Sequence, residues 1–236
     1  MVTTHPSPSP SPSPAQRRSA RPRQTRAALA LAAACLLAPA LGSAAGPAPT
    51  AATDTLSSAT VQRVVQICAS CHGEDGRSLR PEFPVLAGQR SNYIQRQLKA
   101  LRSEERFEVH RSGDMQAVAG WLDDTAIRSL GDYFERQIPL SGRPSGASAD
   151  VLAEGQRLFI KGQPERGVRA CASCHGDAAE GAASFPRLAG QHAPYLLQQL
   201  QAFQARQRPH GILMEQETAP MSQAQLRAVA AWLQTR

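Results

Sequence analysis

Cys68-Ala69-Ser70-Cys71-His72-Gly73 returns residue for residue as Cys171-Ala172-Ser173-Cys174-His175-Gly176 in this 236-residue chain. Cys-x-x-Cys-His is the pattern of covalent c-type haem attachment. The two thiols add across the haem vinyl groups, and the adjacent imidazole is fixed beneath the iron as proximal ligand. A two-residue gap brings both sulfurs to one side of a helical turn, which that geometry requires. Structural zinc also uses Cys-x-x-Cys pairs, but zinc ribbons keep them about 15–20 residues apart, and these lie about a hundred apart. A dithiol redox motif explains neither the histidine nor the duplication. Cys68, Cys71, Cys171 and Cys174 are therefore expected to hold two haem c groups, with His72 and His175 on the irons.

The opposite face of each iron sets its potential and reactivity, and a His/Met pair raises the potential into the range of electron carriers. Beyond the N-terminal segment the chain has three methionines, Met115, Met214 and Met221. Met115 is the sole methionine of the first half. In the second half Met214 aligns with it, whereas Met221 takes the place of Leu122. Met115 and Met214 are the expected sixth ligands. His110 and His210, four or five residues before each Met, are the competing ones and would give bis-His haems of lower potential. His192 has no counterpart in the first half and is expected at the surface.

The elements that must position these groups repeat as well. Phe83-Pro84-Val85-Leu86-Ala87-Gly88-Gln89 returns as Phe185-Pro186-Arg187-Leu188-Ala189-Gly190-Gln191, and Tyr93 and Leu98 return as Tyr195 and Leu200. Each half reads as helices joined by loops, with no alternating strand. Val61, Val64, Val65 and Cys68 share one helical face, as do Val151, Leu152, Gly155, Leu158 and Phe159. Middle helices are expected over 89–101 and 191–203, with each methionine in the loop that follows. Last helices begin near Asp123 and Ser222, both suited to N-capping. The resulting division is an N-terminal segment 1–45, a first domain 46–138, a Pro/Gly/Ser linker 139–149 and a second domain 150–236.

Residues 1–16 alternate Ser and Pro and cannot pack. Five arginines and an apolar run from Ala27 to about Leu41 follow, closed by Gly42-Ser43-Ala44-Ala45. That is the pattern of a secretory signal cleaved near Ala45, too short for a membrane span. Export suits haem c, which is attached outside the cytoplasm, so the expected location is the periplasm. The formal charge of +7 resides mostly in this segment. Residues 46–143 hold twelve basic and twelve acidic side chains, and 144–236 hold nine and seven, a field too weak to recruit nucleic acid or a membrane surface.

Over residues 61–233 the chain resembles the di-haem cytochrome c4 family, two class I cytochrome c domains in tandem. The paired haem motifs, the Pro-x-Leu-Ala-Gly-Gln segments, the Tyr and Gln-Leu that follow and the spacing from Met into the last helix carry the resemblance. It implies an all-α fold and a periplasmic electron carrier whose two haems face one another near the domain interface. It also implies that the carbonyls of Pro84 and Pro186 accept the proximal imidazole protons, and that Tyr93 and Tyr195 lie near the haem propionates. The family carries Gly two residues before an Arg after the middle helix, where this chain has Glu104 and Arg206.

The function expected is a monomeric, non-enzymatic shuttle between a cytochrome bc complex or a dehydrogenase and a terminal oxidase, reaching membranes only through such partners. The alternatives are the dedicated cytochrome subunit of a periplasmic dehydrogenase, or a di-haem peroxidase or thiosulfate-oxidising enzyme. The enzymes would need an open iron or a Cys or His in place of Met, and no cysteine is left over for that once the signal, which holds Cys35, is removed.

Overall fold

The first haem motif closes a helix that starts far upstream of it. Ser57 caps α1 (Ser58–His72) by accepting from the Thr60 N–H, Val61 and Val65 face inward, and the helix runs unbroken through Cys68 and Cys71 to His72. Gly73, at φ 79°, ends it. The computed structural model describes residues 56–106, 114–208 and 210–236; the expected signal segment and His110 lie outside the described residues.

Among the described residues every regular element is helical, and the only pairing is an isolated bridge between Gln163 and Val168. The first half continues with α2 (Ser91–Arg102), α3 (Asp114–Gly120) and α4 (Asp124–Glu135); the second contains α5 (Ala149–Lys161), α6 (Ala172–His175), α7 (Ala193–Gln204), α8 (Ile212–Thr218) and α9 (Gln223–Gln234). The halves differ at their haem motifs. In the second, Gly162 stops α5 well before Cys171, a loop with the 3₁₀ turn Pro164–Arg166 intervenes, and the motif sits on a single turn of its own, α6.

The methionines lie on helices rather than in the loops expected from sequence. Met115 is second in α3 and Met214 third in its counterpart α8, each of seven residues. Helices this short need external support. Arg102, at the end of α2, donates to the Leu122 carbonyl just beyond α3 at 2.8 Å. Gln204 at the end of α7 does the same work at the end of α8, donating to the carbonyl of its last residue, Thr218, at 2.9 Å and to that of Met221 just beyond at 2.8 Å.

The final helices start where the sequence places them. Asp123 accepts from Ala126 N–H at 2.7 Å, and Ser222 forms a full capping box with Gln225. Ile127, Leu130 and Phe134 on α4 join Val61, Val65, Ile94 and Leu122 in one core. Leu226, Val229, Trp232 and Leu233 on α9 join Leu158, Phe159, Leu196 and Met221 in another.

The described residues form one compact unit, and the segment between the halves is laid against both. Gly88 N–H donates to the Phe134 carbonyl at 2.8 Å and Gly190 N–H to that of Leu233 at 3.1 Å, so each Leu-Ala-Gly-Gln turn is tied to its last helix. Both glycines take positive φ, and a Cβ on either would strike the connecting segment, 2.4 Å from Pro139 Cγ and 2.3 Å from Leu140 O respectively. Arg143 N–H then donates to the Gln234 carbonyl, and the Gln234 amide to that of Pro144.

Candidate haem sites

A haem-bearing histidine must be neutral, must keep one nitrogen free for iron and must be held from the other. His72 Nδ1–H donates to the Pro84 carbonyl at 2.9 Å, and His175 Nδ1–H to that of Pro186 at 3.0 Å, which puts the ring proton on Nδ1 and makes Nε2 the nitrogen that would bind a metal. Each ring meets a phenylalanine edge-on in the same pose: His72 and Phe83 have centroids 5.9 Å apart at 66°, His175 and Phe185 5.9 Å at 67°. Burial holds the His175 imidazole below the usual histidine range, against the opposing pull of the Pro186 carbonyl.

The thiols fit the covalent role. Burial pushes Cys68 and Cys171 up to about 11, chiefly by desolvation of the thiolate. Zinc binds thiolates, so such sites disfavour it, whereas a thioether carries no charge and suits an apolar wall. The four motif cysteines form no disulfide with one another, and no cluster of three or more His, Cys, Asp or Glu suited to a metal ion occurs among the described residues. The donor set therefore fits haem c in both halves.

Met115 and Met214 are half-buried, while Met221 is in the second core at 7% exposure, as Leu122 is in the first at 9%. His210, the competing ligand of the second half, points outward and pairs with Glu105 at 3.0 Å. Tyr93 is half-buried, and Tyr195 accepts from Arg106 of the first half at 3.1 Å.

The junction between the halves is where sequence reasoning fell short. Gln89 donates from Nε2 to the Arg187 carbonyl at 2.9 Å and accepts from Arg187 N–H at 2.8 Å. Gln191 does the same to Val85, donating to its carbonyl at 3.0 Å and accepting its N–H at 2.9 Å. Each glutamine thus clasps, in the other half, the residue that follows the histidine-binding proline. Buried Arg106 donates to Gln97 at 2.7 Å, and buried Arg208 reaches Gln97 at 2.6 Å and Gln199 at 2.9 Å.

His192, expected at the surface, is 3% exposed. Its Nε2–H donates to the Ser78 carbonyl at 3.0 Å, and its Nδ1 accepts from Arg143 at 2.9 Å, so it locks both halves and the connecting segment together. Its lack of a repeat partner was the available signal, because a residue that one half uses to grip the other has no need of a copy.

The cytochrome c family model matches residues 152–236. The chain is 38% identical over 195 residues to cytochrome c-552 of Acidithiobacillus ferridurans, covering 82% of this chain and 79% of that one. It is 36% identical to cytochrome c4 of Thiocapsa roseopersicina, over 71% of this chain and 86% of the relative. A protein named thiosulfate dehydrogenase electron acceptor from Thiomonas intermedia is also 36% identical, over 70% and 76%. The crystal structure of reduced recombinant cytochrome c4 from Pseudomonas stutzeri superposes with a TM-score of 0.68 at 30% identity, covering 76% of this chain and 98% of that one.

Proposed function

This chain belongs to the di-haem cytochrome c4 family and is an electron-transfer cytochrome with two covalent haem c groups, and from that premise we propose that it shuttles electrons in the periplasm between a cytochrome bc complex and a terminal oxidase. The observation that carries the proposal is the sameness of the two proximal sites: His72 to Pro84 at 2.9 Å, His175 to Pro186 at 3.0 Å, with matching Phe edges. Two sites built alike receive and release the same electron at similar driving force, which suits a relay. The bound haems supply one-electron chemistry; the chain binds them by Cys68, Cys71, Cys171 and Cys174, and orients His72 and His175 through the proline carbonyls. Met115 and Met214 are the sixth ligands in this reading, and two filled irons leave no position for a substrate. Residues 1–45 serve as the export signal.

The test is to reduce the purified holoprotein with a cytochrome bc complex and reoxidise it with terminal-oxidase membranes, recording both haems. Transfer in both steps is the expected result. Turnover of peroxide or thiosulfate by the protein alone would overturn the carrier reading.

The relative named thiosulfate dehydrogenase electron acceptor favours a second reading, in which the donor is a periplasmic dehydrogenase. Reduction by thiosulfate only when a thiosulfate dehydrogenase is added, faster than by the bc complex, would select it.

A further inference from the structure

The two glutamine clasps end on peptide groups already in use. Pro84 C=O and Val85 N–H belong to one peptide unit. Its oxygen accepts from His72 Nδ1 at 2.9 Å, and its N–H donates to Gln191 Oε1 at 2.9 Å. Pro186 C=O and Arg187 N–H form the equivalent unit, accepting from His175 at 3.0 Å and donating to Gln89 Oε1 at 2.8 Å. Each proximal histidine is therefore joined, through one amide, to a side chain of the opposite half.

Hydrogen bonds in such a chain polarise one another. An acceptor on the amide N–H shifts electron density towards the amide oxygen, and a more negative oxygen draws harder on the imidazole Nδ1–H. The imidazole then becomes more basic at Nε2, and a more basic axial ligand favours the oxidised iron and lowers the potential. The contact is shielded from water, since Gln89 and Gln191 are each 6% exposed and Val85 7%.

We infer that Gln191 tunes the first haem and Gln89 the second, crosswise, as positioning residues that act through the Pro84–Val85 and Pro186–Arg187 peptides. The inference rests on the reading of His72 and His175 as iron ligands. It gives the junction a role beyond adhesion, because each haem's potential then depends on whether the other half is docked.

The experiment uses the full di-haem protein with Gln191→Leu, Gln191→Glu and Gln89→Leu. A Cys68→Ala background leaves the first haem one unsaturated vinyl group, whose shifted visible band tags it in redox titrations. Gln191→Leu is expected to raise the first haem's potential enough to change its one-electron equilibrium about threefold, roughly 28 mV at 59 mV per tenfold, and to leave the second unmoved. Gln89→Leu should do the reverse. Gln191→Glu retains an acceptor for Val85 N–H while changing the group at Nε2, so it should not raise the first haem's potential.

A second readout names the residue directly. In the reduced, diamagnetic protein the His72 Nδ1 proton resonance should move upfield in Gln191→Leu, as its hydrogen bond weakens, while that of His175 stays. Equal shifts at both haems, a shift at the glutamine's own haem, no shift, or the same rise in the Leu and Glu variants would each overturn the proposal. Fewer than two covalent haems in the wild type, or a wild type whose His72 and His175 do not bind iron, would instead overturn the reading beneath it.

Discussion

Gly155 on α5 lies so close to the Ala228 carbonyl on α9 that a Cβ built on it would stand 2.1 Å from that oxygen and 2.8 Å from Trp232 Cβ. The second core depends on this approach, since Phe159 and Trp232 meet at 4.9 Å just along the same helix pair. Gly155→Ala must push the helices apart. Overpacking of this kind costs roughly 1–3 kcal/mol, and each kcal/mol lowers the melting temperature of a compact unit of this size by about 2–4 °C. Gly120→Ala is the control, because nothing lies within 4 Å of its Cβ; it should be neutral or stabilising by about 0.4–1 kcal/mol. Calorimetry of both variants checks the contrast.

His192 makes the stability of the junction pH-dependent. Burial first, and then the Arg143 guanidinium, hold its imidazole below the ordinary value, while the Ser78 carbonyl and Glu82 pull the other way. Between that lowered value and about 6.5 the unfolded chain binds more protons than the folded one, so stability rises with pH across the window. The contribution is complete above about pH 6.5 and is lost as pH falls below it. Protonation also removes the acceptor that holds Arg143. His192→Gln, which can still donate to Ser78 and accept from Arg143, should show a smaller loss of urea midpoint between pH 7.5 and 5.5 than the wild type. An equal loss would refute the assignment.

Glu104 and Arg206 both take the left-handed conformation, at φ 58° and 59°. A side chain there costs roughly 1–2 kcal/mol, part of which glycine returns through its freer unfolded state. Glu104→Gly should therefore stabilise by about 0.5–1 kcal/mol. Arg206→Gly should gain less, because Arg206 pairs with Glu215 at 2.7 Å and an exposed pair contributes about 0.2–1 kcal/mol. Denaturant midpoints of the two variants should fall in that order.

What could be read from the chain was whatever repeats or caps. The haem motifs, the α4 and α9 starts at Asp123 and Ser222 and the buried stripes that follow are local patterns, and each leaves its trace in spacing; the roles of the Pro84 and Pro186 carbonyls came only with the family resemblance. The helices carrying Met115 and Met214 were invisible, because seven-residue helices held by Arg102 and Gln204 from another element have too little periodicity of their own. The break at Gly162 was missed because the apolar spacing before both haem motifs looked alike. The clasps of Gln89, Gln191 and His192 depend on how the halves dock. Sequence showed the glutamines repeating but could not show that each reaches the opposite half.

Met214 and Met221 divide the second half's methionine chemistry, and conservative replacements separate them. Met221 packs among Leu226, Val229 and Leu196 at 7% exposure, so Met221→Leu swaps one apolar core group for another of similar volume and should cost under about 1.5 kcal/mol. Met214 stands half-buried on α8, a helix pinned by the Thr218 hydroxyl donating to the Met214 carbonyl at 2.8 Å and by Gln204 donating to the Thr218 carbonyl at its end. Met214→Leu keeps that frame and removes only the thioether. It should abolish the sulfur-to-iron charge-transfer band of one haem and lower that haem's potential, since Met ligation raises it. His210, turned outward to Glu105, offers no rival ligand, so His210→Ala should leave the band intact. Loss of the band in Met221→Leu or His210→Ala, with Met214→Leu unchanged, would move the sixth ligand and with it the register of the repeat between α7 and α9.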